Sequence, residues 1–281
     1  MSAEMYGSSA DALVGPGWLG LRQDADDRCS FELVPALARF DGQLYGGAGL
    51  AAAVALVDVA TGRPPLWTTT QFVGQARLGE RIDCHAEVLA HGGRSSQVRV
   101  TATVGDRLVF TALGSAGLGR TDGFSADFDG FPDVDPPAEC PPWVVFDRLP
   151  PGVVPADTAR FGPFGLAEFR QAAPRTDPGL IWVRMREGAQ TPESMAYLAD
   201  FVPTMVLRAV GRMGGGTSLD NSIRCGPPPT GPWVLVDVDP YFGHAGYVHG
   251  AARVWTPEGR LVAVASQTAV ARVFGGAPET R

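Results

Sequence analysis

Strict alternation of apolar and polar residues dominates the middle of the first half. From Arg81, Ile82, Cys84, Ala86 and Val88 take one face and Asp83, His85 and Glu87 the other, which predicts a half-buried antiparallel strand. Gly92-Gly93 turns the chain, Ser96 to Val104 alternates again, Gly105-Asp106 makes a second turn, and Arg107 to Ser115 gives a third strand. Leu66 to Val73 reads as a strand on its tryptophan, threonines and phenylalanine, and Arg28 to Val34 as the first strand of the chain. Residues 1 to 20 carry no clear pattern. The second half repeats the theme, with strands at Ala159 to Gln171, Leu180 to Arg186, Ser218 to Cys225, Trp233 to Pro240, Gly246 to Trp255 and Leu261 to Phe274. GDRLVFTALGS at 105–115 aligns with EGRLVAVASQT at 258–268, so the chain reads as two copies of one unit.

Two stretches depart from the two-residue period. Gly46 to Thr61, GGAGLAAAVALVDVAT, is a helix whose small side chains let strands approach from several directions, and Gly62-Arg63-Pro64-Pro65 ends it. Thr191 to Gly211 reads as a long helix with Thr191 as its cap, Pro192 in its first turn and Gly214 to Gly216 as its stop. Pro203 demands either a kink in that helix or a regular start only near Asp200. The simplest architecture is α+β, with two long central helices each wrapped by an antiparallel β-sheet and the two sheets joined edge to edge. Residues 1–118 form the N-terminal unit, 119–158 a crossing linker and 159–281 the C-terminal unit. The linker is rich in proline and carries Asp122, Asp127, Asp129, Asp133, Asp135 and Glu139; Trp143 and Phe146 are expected to pin it as an ordered segment.

Composition narrows the functional classes. The 281 residues are 45% hydrophobic, enough for substantial cores, and 23 Lys plus Arg against 30 Asp plus Glu give a net charge of −7. That balance argues against nucleic acid or an anionic membrane as the main partner. Cys29, Cys84, Cys140 and Cys225 lie far apart with no metal-ligand spacing, so no metal and no disulfide framework is expected, and a reducing cytoplasm fits. No stretch approaches the roughly 18 apolar residues of a membrane span, and no signal segment opens the chain.

Asp200 is the residue that asks for an explanation, because an ionised carboxylate in an apolar helix costs several kcal/mol unless partners satisfy it. It is either a structural partner of Arg208, Arg212 or Arg224, a helix cap, or a group that does chemistry. On a regular strand Ser218, Asp220, Ser222 and Arg224 face one way, and Ser218 starts the strand nearest the helix end. An Asp, a hydroxyl and a carboxamide together can hold a water, the Asp taking its proton while the others aim it at a carbonyl. Setting Arg107 on Arg260 puts Gln267 opposite Gly114, so the polar groups occur in one copy only. Ser218 alone reads as a strand-start hydroxyl and Gln267 alone as an edge residue bonding backbone. His85, His91, His244 and His249 read as surface or satisfied strand histidines.

The chain resembles the TesB-like acyl-CoA thioesterases, a double-hotdog family, along nearly all its length after residue 20. The resemblance is carried by the YGG at Tyr45 to Gly47, VLAHGGRSSQVRVTA at Val88 to Ala102, YLADF around Asp200, SLDNSIR from Ser218 and VASQTAVAR at Val264 to Arg272. It implies hydrolysis of fatty acyl-CoA to free acid and CoA, with no metal or prosthetic group. The family's catalytic Asp, Thr or Ser, and Gln fall on Asp200, Ser218 and Gln267, and the amides at Gly46 and Gly47 are the position that hotdog enzymes offer to a thioester oxygen. This sequence departs from the family in carrying Asn221 where His is common after the strand Asp, and Ser218 in place of the more familiar Thr. A homo-oligomer, dimer or tetramer, is expected. The alternatives are a hotdog enoyl-CoA hydratase or dehydratase, which needs an Asp and His pair near the helix entrance, and a non-catalytic acyl-CoA-binding protein. The alanines at 51–55 and 196–199 are expected to set the depth of an acyl tunnel.

Overall fold

A computed structural model describes residues 12–120, 122–126, 128, 130–144, 159–172 and 179–274. The predicted strands, together with two short ones before Arg28 that the sequence pattern does not announce, join one antiparallel sheet. In chain order they are β1 (Ala12–Leu13), β2 (Arg22–Ala25), β3 (Arg28–Glu32), β4 (Pro65–Phe72), β5 (Arg81–His91), β6 (Ser95–Val104), β7 (Arg107–Gly117), β8 (Ala167–Gln171), β9 (Leu180–Met185), β10 (Gly214–Cys225), β11 (Trp233–His244), β12 (Tyr247–Trp255) and β13 (Leu261–Val273). Their spatial order is β1-β2-β3-β5-β6-β7-β4-β10-β13-β12-β11-β9-β8, so the halves meet edge to edge where β4 pairs β10 between Trp67–Gln71 and Arg224–Asp220. Three strand boundaries move by more than two residues from their sequence reading, one of them the end of β11, which runs on to His244 past the expected Pro240. Ala159 to Leu166 is not strand, and Pro163–Leu166 forms a short helix, α2, before β8. Gly214 to Gly216 do not stop a helix but open β10.

Apart from β1, which has no counterpart, the order is symmetric about the central β4–β10 pair, and the register follows it. Gly114 pairs with Thr68, and Gln267 with Asn221. One offset therefore carries Gly114 onto Gln267, Thr68 onto Asn221 and Pro65 onto Ser218, and the cross-pairs Asn221–Thr70 and Ile223–Thr68 exchange under it. Both halves also break the ladder at the same place, after Pro65 and after Ser218, leaving Leu66 and Leu219 as the extra residues of two bulges. The same offset carries Gly47 onto Asp200.

The first central helix, α1 (Gly46–Thr61), has 16 residues and is buried on every side from Gly46 to Val57, as its alanine-rich composition requires. Its counterpart is not one long helix. α3 (Pro192–Leu198) stops, Ala199 to Phe201 interrupt the hydrogen-bond ladder, and α4 (Val202–Ala209) restarts with Pro203 in its first turn. A proline there has no amide to donate and its ring presses on the carbonyl of residue 199, so a continuous helix is broken at that level. Thr191 caps α3 as expected, in a reciprocal pair with Ser194.

Two further features lay beyond sequence spacing. Cys29 stands directly opposite Cys84 on β3 and β5, both free and buried; burial pushes both thiols up, Cys29 to about 11, which keeps them protonated and unreactive. Part of the linker packs on the sheet. Phe131 lies against Trp182 and Trp255, the Trp182 indole donates to the Asp135 carbonyl at 2.9 Å, and Trp143 is buried against Phe169 and Phe201. Phe146, Asp127 and Asp129 lie outside the described residues. No helix among the described residues is long and apolar enough to cross a membrane.

The first half has no room for a glutamine at the place of Gln267. A Cβ on Gly114 would stand 2.6 Å from Val57 Cγ2 and 3.1 Å from the Trp67 carbonyl. Gly114→Ala is expected to lower stability by about 1–3 kcal/mol, as overpacking does, and Val57→Ala in the same chain to recover part of that loss. Denaturant unfolding of the two variants checks it; a Gly114→Ala protein as stable as the parent would show that β7 is not held this close to α1.

Candidate active site

The helix break is what aims Asp200. Its backbone carbonyl, released from a regular ladder, accepts a hydrogen bond from the Tyr45 hydroxyl at 2.9 Å, and the same hydroxyl reaches the Tyr197 carbonyl at 3.2 Å. Its side chain turns toward the start of α1, where the Gly47 amide donates to Oδ2 at 2.5 Å. The carboxylate thus caps a helix from the other half of the chain, satisfying one of the amides that a helix N-terminus leaves open. This approach requires glycine twice. A Cβ on Gly46 would lie 2.5 Å from Ser218 Oγ and 2.8 Å from Asp200 Oδ2, and one on Gly47 would lie 2.5 Å from the Tyr197 carbonyl oxygen.

The β10 bulge sets the second side chain. A regular strand puts Ser218 and Asp220 on one face, but the extra residue Leu219 rotates the chain, so Ser218 shares the helix-facing side with Asn221 and Ile223. Asp220 turns the other way and accepts from the Thr268 amide at 3.1 Å. The third side chain, Gln267 on β13, points inward and uses both protons of its Nε2: one goes to Asp200 Oδ1, the other to Ser218 Oγ at 2.7 Å. Gln267 therefore bridges Asp200 and Ser218.

Asp200 is 7% exposed, and burial raises its carboxyl from the ordinary 3.8 to about 7, against the opposing pull of the Gly47 and Gln267 hydrogen bonds and the more distant charge of Arg39. Among the described residues it makes no ion pair. Arg208 instead lies over the Trp143 ring and donates to the Val144 carbonyl, and Arg212 and Arg224 are exposed, so the structural-partner explanation finds no arginine paired with the carboxylate among the described residues.

The three side chains border a cavity of about 500 Å³. One part of its wall is aromatic, formed by Phe40, Phe161, Phe164 and Phe201, with Phe40 and Phe164 stacked at 6.0 Å. Another part is charged. Arg39 binds Asp41, the Gly216 carbonyl and Thr217 Oγ1, and Thr217 also accepts from Arg272 at 2.9 Å. The cavity does not run between the alanines at 51–55 and 196–199, which are packed tight. No histidine lines it.

Gly47 proves to be occupied, since its amide belongs to Asp200. The amide of Gly46, first in α1, faces no acceptor among the described residues and borders the cavity. Sequence reasoning did not assign Tyr45 its role of tying down the broken helix, nor Arg39 its electrostatic one. The YGG motif carried the first signal, whereas nothing local marks Arg39.

Residues 36–117 match the acyl-CoA thioesterase N-terminal domain and residues 136–271 the acyl-CoA thioesterase C-terminal domain. No curated protein sequence gives a match. Among solved structures, a protein of Novosphingobium aromaticivorans provisionally described as a thioesterase is 32% identical with a TM-score of 0.79, over 90% of this chain and 98% of that one. The tesB protein of Mycobacterium avium subspecies paratuberculosis (19% identical, TM-score 0.71, 89% and 94% covered) and the acyl-CoA thioesterase II TesB2 of Mycobacterium marinum (17%, 0.68, 92% and 98%) share the fold. Both halves of the matched domain pair, in order and over most of the chain, place this protein in the acyl-CoA thioesterase family of hotdog-fold thioester hydrolases.

Proposed function

We propose that the protein hydrolyses acyl-CoA to free acid and CoA by direct attack of water. The observation that carries this reading is the Gln267 amide bridging Asp200 and Ser218 at the wall of an apolar cavity. Asp200 is the general base: held near 7, it is substantially ionised at neutral pH yet basic enough to take a proton from water. Ser218 and Gln267 fix the water's position, which supplies most of the advantage of such a site. The water oxygen bonds to the thioester carbon while its proton passes to Asp200, and the carbonyl oxygen gains the negative charge. The Gly46 amide, at the positive end of α1, is placed to stabilise that oxyanion, a role the sequence reading gave to Gly46 and Gly47 together. Collapse breaks the C–S bond, and the departing thiolate recovers the proton from Asp200. The aromatic wall receives the acyl chain.

A hydratase or dehydratase needs an Asp and His pair, and none of the four histidines reaches the cavity. Asp41, the carboxylate that precedes α1 in the chain, is engaged by Arg39. A non-catalytic acyl-CoA-binding protein is the reading to adopt if no free thiol appears from a panel of short to long acyl-CoAs.

Three measurements probe the assignment. The rate kcat should rise with pH and level off above about 7, because the base must lose its proton; a flat profile from pH 5 would assign the step to a group with an ordinary carboxyl. Ser218→Ala and Gln267→Ala should each leave a folded protein slowed about 10²- to 10⁴-fold; two variants at full rate would move the site elsewhere.

Asp200→Asn separates base from anchor. A raised carboxyl pKa means that stability is fully present below about pH 3.8 and is lost as pH climbs through 7, when the buried group must ionise. The asparagine avoids that loss. Its advantage should be small near pH 4, grow with pH and plateau above about 7 at no more than roughly 4 kcal/mol, the value of the shift at 1.36 kcal/mol per unit. Turnover should collapse at every pH. Thermal melting and thiol release on one sample test both halves of the statement, and a variant that melts earlier yet keeps its rate per folded molecule would reverse it.

A further inference from the structure

Behind Gln267 lies a row of buried polar groups that the reaction has not used. Asn221 is the cross-strand partner of Gln267 on one side and of Thr70 on the other, so the three side chains leave the sheet on the same face; Thr68 follows two residues along. Thr68, Thr70, Asn221 and Gln267 are each no more than 1% exposed. In each, one polar atom is buried without a hydrogen-bond partner: Thr68 Oγ1, Thr70 Oγ1, Asn221 Nδ2 and Gln267 Oε1. Such atoms are rare in folded proteins because they forfeit their bonds to water. Here they are complementary. Gln267 Oε1 only accepts, Asn221 Nδ2 has two protons, and a threonine hydroxyl accepts as well as donates. Directly opposed Cβ atoms in an antiparallel ladder stand about 5 Å apart; the two carboxamides do not bond each other directly, and one water between them is within reach of both.

We propose that Asn221 is a positioning residue for the reaction: through one bridging water its Nδ2 donates toward Gln267 Oε1 and thereby fixes which way round the Gln267 amide stands. The inference rests on the catalytic reading of Gln267 given above. A glutamine amide has two orientations of nearly equal shape. In one, Nε2 serves Asp200 and Ser218; in the other, Oε1 faces them. An ionised Asp200 repels the flipped form by itself. Once Asp200 has taken the water's proton it becomes a donor and welcomes a carbonyl, so at that moment only a donor behind Gln267 holds the amide in place. Without it the flipped amide and the protonated acid stabilise each other, and the base is regained more slowly.

The test is a double-mutant cycle with kinetics across pH 5.5 to 9. Asn221→Leu, which keeps volume and removes the donor, should lower kcat about tenfold, the scale of one lost hydrogen bond, with KM within about twofold. It should also move the midpoint of the pH profile upward. Asn221→His, which keeps a donor, should retain most of the rate. In a Gln267→Ala background Asn221→Leu should have no further effect. A merely structural Asn221 predicts an additive loss and an unmoved midpoint, and either result overturns the proposal. Should Asn221→Leu not fold, Asn221→Ala takes its place in the cycle. A readout independent of turnover is the Gln267 side-chain amide resonance, identified by its disappearance in Gln267→Ala. It should shift in the Asn221 variants, and an unmoved resonance sinks the contact even where wild-type protein releases no thiol. Absence of thiol release from the wild type, by contrast, overturns the thioesterase reading and not the contact.

Discussion

A single buried carboxylate sets the terms for everything near it. Removing Asp200 from water raises its pKa toward neutrality, and two donors, the Gly47 amide and the Gln267 carboxamide, with the more distant charge of Arg39, keep the cost of ionisation from being prohibitive. One donor comes from each half of the chain. The entry to α1 must therefore carry no side chains, Tyr45 must tie down the broken segment that presents the carboxylate, and β13 must pass close enough for a glutamine to reach. The acidity of the group is a product of the assembly of both halves.

Much of the architecture could be read from period alone. Alternation located the long strands, and the likeness of 105–115 to 258–268 announced the repeat, because a residue's face in a strand depends only on its neighbours two away. The break in the second helix was half legible. Pro203 signalled a fault, but whether a chain kinks, starts late or splits depends on what the freed carbonyls find, and here Tyr45 waits from another part of the chain. The bulge at Leu219 was invisible. It shifts Asp220 out of the face it shares with Ser218 on paper and brings Asn221 in, a change fixed by pairing with β13 and not by local propensity. Long-range coincidences such as Cys29 beside Cys84 leave no mark in spacing at all.

Of the candidate site, Asp200, Ser218 and Gln267 were within reach of sequence because a polar residue in an apolar context is conspicuous and because one copy had them while the other did not. Geometry shows why the first copy does not. Gly114 holds Gln267's place against Val57, and Pro65 holds that of Ser218, so the corresponding corner is filled by packing. What the sequence could not say was which glycine amide is free, since that depends on where the carboxylate finally rests.

The offset that relates the halves also relates Gly47 to Asp200, the two residues joined by the hydrogen bond at the centre of the site. Were the two units identical copies held together as a dimer, this position would confront its own duplicate, and one residue type would have to be both the bare backbone donor and the carboxylate. No amino acid is both. Covalent fusion lifts that restriction, because the two copies can then drift apart at the point where they touch. The asymmetric site of this protein is a solution that two identical copies have no means of encoding.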